Sequence, residues 1–372
     1  MKLTAQIKLN PTKEQCESLI ATLEEFNCVC NQISGVAWDK KTFGQYKLHY
    51  LVYKSIRESS KLSSQATVRA IGKVADTYKL DKKRKRKFRK HGSATYDSRI
   101  LSYNFEKQVA SIWTVNKREK IPMIISEHHE KLLQFQQGES DLCYIRGKWY
   151  LFATCDVPND QEKSFENILG VDLGIIDIAS DSTGHHYSGD QVKQYREKRY
   201  KVRKSLQSKA HKGASRSTIK NTRRTLKRLS GKESRAVRLI NHTISKQIVE
   251  NAITNNMAIA LEDLKGIRKA RVRKKQRRTH HSWSFNQLRQ FIQYKAERAG
   301  IPVFLIPPAY TSKTCSVCYH IGVRNGKHFK CNNCGNEMDA DHNGAVNIAT
   351  WGRIVNRPEN STFACSIALH CV

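Results

Sequence analysis

Four cysteines constrain this chain most tightly. Cys315-x-x-Cys318 and Cys331-x-x-Cys334 stand twelve residues apart. This spacing lets four thiolates close a tetrahedron around one zinc ion while the intervening residues run out and back as a hairpin, helped by the turn pair Asn325-Gly326. Gly322, Gly335 and their polar neighbours do not read as core. Four sulfurs leave no open position for water, so the expected role is structural. The total of 11 cysteines is odd, which fits a reducing compartment better than a disulfide framework. The other seven, Cys16, Cys28, Cys30, Cys143, Cys155, Cys365 and Cys371, read as buried thiols or tail residues.

A second constellation is acidic. Asp172 lies between Val171 and Leu173 in an apolar run, Glu262 ends the run Ala258 to Leu261, and Asp341 opens a helical pattern in Asp339-Ala-Asp-His-Asn-Gly-Ala-Val-Asn-Ile348. A carboxylate inside an apolar strand is costly unless it is paired or holds a metal. Strand hairpin, strand, then helix start is the order in which an RNase H-like fold brings acids to one edge of its sheet. Hard oxygen donors of this kind suit magnesium. Two such ions can grip a scissile phosphate, activate a water and stabilise the leaving oxygen. Taken singly each acid has a plainer reading: Asp172 a turn residue before Gly174, Glu262 a surface charge at a strand end, Asp341 a helix N-cap.

Charge narrows the partner. With 66 Lys and Arg against 33 Asp and Glu the net charge is +33, and self-repulsion of that size favours a polyanion as counter-charge. Lys82 to Lys90 is basic everywhere but Phe88. Residues 196 to 228 read as a basic helical stretch whose one acid is Glu197, and Lys265 to Arg278 is again dense in Lys and Arg. Such runs repel themselves unless they lie on phosphate. The basic runs lack the Trp, Phe and Leu face of an interfacial helix, and no run of about 18 apolar residues marks a membrane span. The alternating N-terminus is not a signal-peptide run, so the expected location is the cytoplasm or a nucleoid.

Periodicity orders the chain. Leu3, Ala5, Ile7 and Leu9 alternate with polar residues as a half-buried strand. A helix opens at Pro11-Thr12, with Thr12 and Gln15 in capping-box spacing and Cys16, Leu19, Ile20, Leu23 and Phe26 as its apolar stripe. Ser63 to Leu80 reads as a second helix, which leaves Gln65, Arg69 and Lys73 four apart on its polar face. Leu142 to Ile145 and Trp149 to Ala153 flank Arg146-Gly147 as a hairpin. Later, Asn167 to Ser180 reads as two strands around Gly174, and Val303 to Ile306 as another strand. The fold class expected is α+β.

Gly170-Val-Asp172-Leu-Gly174, Leu261-Glu262-Asp263-Leu264 and Asp339-Ala-Asp341-His-Asn343-Gly-Ala-Val-Asn347-Ile348, with a four-cysteine finger before the third, resemble the RuvC nuclease domain of the TnpB family. So, more loosely, do Leu9-Asn-Pro11-Thr12-Lys-Glu14-Gln15 and Tyr310-Thr-Ser-Lys-Thr-Cys315. The family's members are transposon-encoded RNA-guided nucleases related to type V CRISPR effectors. The resemblance implies two lobes: a β wedge module at 1–10 and 95–160 with a helical recognition domain inserted at 11–94, then an RNase H-like RuvC domain at 165–308 and 337–352 with a zinc finger inserted at 309–336. The tail 353–372 is expected to be disordered.

The resemblance further implies that Asp172, Glu262 and Asp341 hold two magnesium ions, with manganese as a substitute. It implies a guide RNA and a double-stranded DNA target that form an RNA–DNA heteroduplex, one RNA on a monomeric protein, and a division of labour in which base pairing supplies sequence and protein reads shape. Gln65, Arg69, Lys73, Lys85, Arg203, Arg223, Arg224, Arg228, Arg273 and Lys274 are the candidate nucleic-acid contacts. Two departures leave alternatives open. Tyr319 stands where the first knuckle often has Gly, which alters the turn but not the thiolates, and the Asp-Ala-Asp-His-Asn-Gly-Ala run is closer to type V effectors, which leaves a compact CRISPR effector open. Because a fold does not guarantee activity, a guided repressor or transposition regulator without cleavage also stays beside the nuclease. A strand-joining transposase lacks an identifiable Tyr or Ser nucleophile.

Overall fold

The alternation at the N-terminus builds β1 (Lys2–Leu9), which buries Ala5, Ile7 and Leu9. In the computed structural model, residues 1–161, 165–211, 213–265, 267 and 283–355 are described. Segment 268–282, which holds Arg273, Lys274 and most of the expected basic run 265–278, and tail residues 356–372 lie outside the described residues. The chain divides into two compact units, Met1–Pro158 and Asn159–Val372.

In the first unit, β1 sits inside an antiparallel sheet with β2 (Ala94–Tyr96), β3 (Leu101–Asn104), β4 (Val109–Trp113), β5 (Arg118–Ile124), β6 (Gln136–Ile145) and β7 (Lys148–Asp156), in the order β2-β6-β7-β1-β5-β4-β3. The β6–β7 hairpin turns on Arg146 and Gly147, at φ 54° and 79°, the left-handed pair that a tight two-residue hairpin needs. Between β1 and β2 run α1 (Lys13–Asp39), α2 (Gln45–Ser59) and α3 (Ser64–Leu80). The Thr12–Gln15 capping box forms in both directions. Leu19, Leu23, Phe26, Cys30 and Ile33 of α1 share one apolar core with Leu48, Val52 and Ile56 of α2 and Ile71, Val74 and Tyr78 of α3. Cys30 and Cys155 are buried as expected, and burial pushes the Cys30 thiol up to about 12. Cys28 is not: it is exposed, because it falls on the outer face of α1.

The second unit opens with β8 (Asn167–Asp172), β9 (Asp177–Asp181) and β10 (His186–Ser188). The helices α5 (Asp190–Lys209), α6 (Arg216–Leu229) and α7 (Lys232–Thr254) follow α4 (Glu127–Leu133) of the first unit in chain order, and β11 (Met257–Glu262), α8 (Phe285–Arg298) and β12 (Val303–Ile306) come next. The sheet order is β10-β9-β8-β11-β12, with β8, β11 and β12 parallel. The basic stretch 196 to 228 is therefore two helices: α5 ends at Lys209, and in the link to α6 Gly213 takes φ 98°, a left-handed value that a continuous right-handed helix cannot hold. A three-stranded finger, β13 (Val323–Asn325), β14 (His328–Lys330) and β15 (Glu337–Asp339), leads into α9 (Ala340–Val355). Among the described residues no helix is long and apolar enough to cross a membrane.

Helix α9 packs directly on β8, and glycine makes that approach possible. A Cβ at Gly170 would lie 2.0 Å from the Ala345 carbonyl oxygen and 2.4 Å from the Ala349 nitrogen, both backbone atoms. Gly170→Ala is expected to destabilise this unit by about 3 kcal/mol, the upper range of overpacking. A denaturant midpoint unchanged from the parent would show that α9 does not press on β8 this closely.

Candidate active site and zinc cluster

Three acids end up at one edge of the second sheet because strand direction puts them there. β8 and β11 are parallel neighbours, so their last residues, Asp172 and Glu262, emerge at the same end. Asp341 comes from the first turn of α9, which covers β8. They are 9%, 6% and 8% exposed, which removes the plainer reading of Glu262 as a surface charge. Asp339, not Asp341, caps α9: its Oδ1 accepts from the backbone N–H groups of Asp341 at 2.9 Å and His342 at 3.0 Å. The Asp341 carboxylate is thereby free of capping duty. Gly344 leaves room for Asp172, since a Cβ there would stand 3.3 Å from Asp172 Oδ2. Next to Glu262, Asp263 is tied to Arg289 at 2.7 Å, so the two adjacent acids have separate jobs.

Burial raises the Asp172 carboxyl to about 8, and the negative charges of Glu262 and Asp341 push in the same direction. Burial raises Glu262 as well, opposed by a hydrogen bond from Thr311 Oγ1 and by the charge of Arg324. Neighbouring buried acids that resist ionisation are the kind of group whose charge a multivalent cation relieves. The donor set, three carboxylates at the ends of rigid elements, fits magnesium.

Arg324 was not legible as a site residue. It lies on β13 of the finger, yet its Nη2 donates to Asp341 Oδ1 at 2.6 Å, and its charge also lowers Asp172. Across the Asn325-Gly326 turn, Lys327 pairs with Asp177. Both cations flank the one turn, a local pattern that could have marked them. The asparagines of the third motif have a holding role. Asn343 Nδ2 donates to the Thr314 carbonyl at 2.7 Å while its Oδ1 accepts from Ser316 N–H at 3.0 Å. Asn347 Nδ2 donates to the carbonyls of Thr311 at 2.8 Å and Thr314 at 2.7 Å. Together they fix the segment that sets Thr311 against Glu262.

The cysteines do assemble. The Sγ atoms of Cys315, Cys318, Cys331 and Cys334 all lie within 4.8 Å of one another, with Cys315 to Cys334 at 3.7 Å and Cys318 to Cys331 at 3.4 Å. The sulfur separation for tetrahedral Zn–S bonds of ~2.3 Å is about 3.8 Å, so the cage is of the right size. The cluster could hold zinc. The His320 backbone N–H lowers the Cys318 thiol while the hydrogen bonds shared among the cysteines raise Cys334, so without a cation to hold the four sulfurs their negative charge settles on one of them. Tyr319 has φ 62°, the left-handed conformation that explains why glycine suits this position.

Among the other expected contacts, Lys85, Arg203, Arg223, Arg224 and Arg228 are exposed. Gln65, Arg69 and Lys73 are not a free face. Gln65 donates to Asp97, Arg69 pairs with Asp97 and Glu139, and Lys73 reaches the Ser93 carbonyl at 2.6 Å and Asp141 at 3.5 Å.

Comparison with known proteins follows the same lines. The family model described as "Probable transposase" matches residues 152–268, and that described as "Cas12f1-like, TNB domain" matches 285–348. A TnpB-like protein of Methanocaldococcus jannaschii is 31% identical over 263 residues, which span 65% of this chain and 90% of that protein. The chain belongs to the TnpB and type V effector family. The CRISPR-associated endodeoxyribonuclease Cas12f1 of Sulfoacidibacillus thermotolerans is 36% identical over 217 residues, 55% of this chain and 50% of that protein. The chain thus matches about half the length of this Cas12f1 relative. In fold, it resembles a Cas12f1 solved with sgRNA and target DNA at a TM-score of 0.57 and 16% identity, over 91% of this chain and 83% of that one. This TnpB-family chain therefore has the mixed α/β fold of Cas12f-type effectors.

Proposed function

We propose that this chain is an RNA-guided DNA endonuclease that carries a guide RNA made from a transposon end and cuts complementary DNA beside a short target-adjacent motif. The observation that carries the reading is the convergence of Asp172, Glu262 and Asp341 at one sheet edge. In this reading Asp172, Glu262 and Asp341 hold two magnesium ions. When bound, the metal pair supplies an activated water and charge neutralisation at the leaving oxygen.

The protein's own groups do the rest. Thr311 orients Glu262 through its hydroxyl, and the asparagine pair keeps that hydroxyl in place. Arg324 offsets part of the negative charge of the acids and offers its remaining N–H groups to a phosphate oxygen. Residues 1–10 and 95–160 serve as the wedge module, 11–94 as the recognition domain, 165–308 and 337–352 as the nuclease domain and 309–336 as the finger, whose sheet is completed by β15 (Glu337–Asp339) at the start of the last nuclease segment. Gln65, Arg69 and Lys73 can meet nucleic acid only by exchanging their present carboxylate partners. All three acids are intact, which favours cutting over guided binding alone.

The exposed arginines of α5 and α6 are expected to lie on phosphates. Neutralising Arg203, Arg223, Arg224 and Arg228 together should flatten the slope of log affinity against log salt by about 3. An unaltered slope would assign these arginines to solubility.

The function itself is tested by expressing the chain with its flanking DNA and sequencing the RNA that co-purifies, then challenging the complex with a DNA library with and without magnesium. A defined RNA and magnesium-dependent cuts beside one fixed motif are expected. Tight binding without cuts would favour the repressor, and absence of RNA would remove the guide from the account.

A further inference from the structure

Helix α2 has two faces of different character. Leu48, Val52 and Ile56 are buried in the core of the first unit. On the outer side Tyr46, His49, Tyr50 and Tyr53 fall at i, i+3, i+4 and i+7, which makes one aromatic stripe. Tyr46 and Tyr50 are each 89% exposed. Beside them His49 and Tyr53 stack with ring centroids 4.5 Å apart and planes at 18°. Lys47 and Lys54 flank the stripe, both exposed and without an acidic partner among the described residues. The helix has a single acid, Glu58, in its last turn.

An aromatic ring held open to water on a rigid helix gives up apolar contact that burial would provide. Two of them one turn apart, with the two ammonium groups of Lys47 and Lys54 along one side of the stripe, have the composition of a stacking platform: rings for bases and cations for the phosphates between them. A continuous duplex offers such rings no base faces, whereas unpaired nucleotides do. The Tyr46 and Tyr50 hydroxyls have no hydrogen-bond partner among the described residues and are free to meet a 2′-hydroxyl. We infer that the α2 stripe stacks unpaired bases of the bound RNA. This rests on the RNA-binding reading above and adds a site to it.

The test uses the full chain and two probes, a uridine 12-mer RNA and its deoxy counterpart, each with one 5-iodouracil for photocrosslinking. Irradiation of the RNA complex should attach the probe to Tyr46 or Tyr50, located by mass spectrometry of the peptide that holds α2. The double variant Tyr46→Ser/Tyr50→Ser should bind the RNA about fivefold or more weakly at a salt concentration that screens phosphate contacts. Tyr46→Phe/Tyr50→Phe keeps the rings, so it should retain stacking and lose only the preference for RNA over DNA.

RNA adducts elsewhere but none in α2, with unchanged affinity in the serine variant, would overturn the inference and leave RNA binding intact. Equal labelling by the deoxy probe would overturn the assignment to RNA. A change in sedimentation with no change in RNA affinity would make the stripe an interface between copies, also against the inference. No RNA binding by the parent chain would instead defeat the guide reading itself.

Discussion

Asp172→Asn should both silence and stabilise this protein. Under the proposed function, cleavage is expected to fall at least about a thousandfold, since one of the three carboxylates proposed to hold metal becomes neutral. The stability effect follows from linkage. The carboxyl sits at about 8 in the folded chain against an ordinary 3.8, so the folded state binds the extra proton between those values. Its favourable contribution is complete at low pH and drains away as pH rises toward 8, where the buried charge must be borne. Asparagine keeps the shape without that charge. The variant should match the parent near pH 4 and exceed it by about 2–6 kcal/mol above pH 8 in magnesium-free buffer, the upper end being full conversion of the shift. Urea unfolding at several pH values reads this directly. Equal stability at pH 9 would mean that Asp172 is not held in a dry, acid-crowded site.

Cys331→Ser/Cys334→Ser is the second large effect. The finger has a small core of its own, Cys315, Phe329, Cys331 and Ala340, with Cys318 and Met338 packed against it, too few apolar groups to fold a three-stranded sheet without a cross-link. Loss of two thiolates should drop zinc from one per chain to near zero and disorder residues 315–339, forfeiting metal-binding energy of about 10 kcal/mol or more. Arg324 belongs to this segment and depends on it for its place beside Asp341, so cleavage should fail as well. Unchanged zinc by elemental analysis would refute the cysteine cage.

Much of the site could be read from local pattern. Asp172 stood out as a charge inside an apolar strand, the cysteines by spacing, and Thr12, Gln15 and the Arg146-Gly147 turn by local chemistry that distance along the chain does not alter. Arg324 escaped notice because nothing in its neighbourhood names its partner, which arrives from a different element. The α3 side chains illustrate the same limit. Periodicity correctly put Gln65, Arg69 and Lys73 on one face, but it could not reveal that Asp97, Glu139 and Asp141 from the sheet would meet them there. The break between α5 and α6 was hidden for another reason, since a basic surface hairpin buries little and its helical period carries no core to mark the ends; Val192 and Thr222 are the buried residues of the two helices.

The measurement that tests the central claim most directly is to exchange the guide segment of the co-purified RNA for an unrelated sequence and map the cuts. With magnesium present, the cut site is expected to move to DNA matching the new guide, to keep the same adjacent motif, and to vanish in Asp172→Asn. Cuts that ignore the guide, or that persist without divalent metal, would contradict the claim.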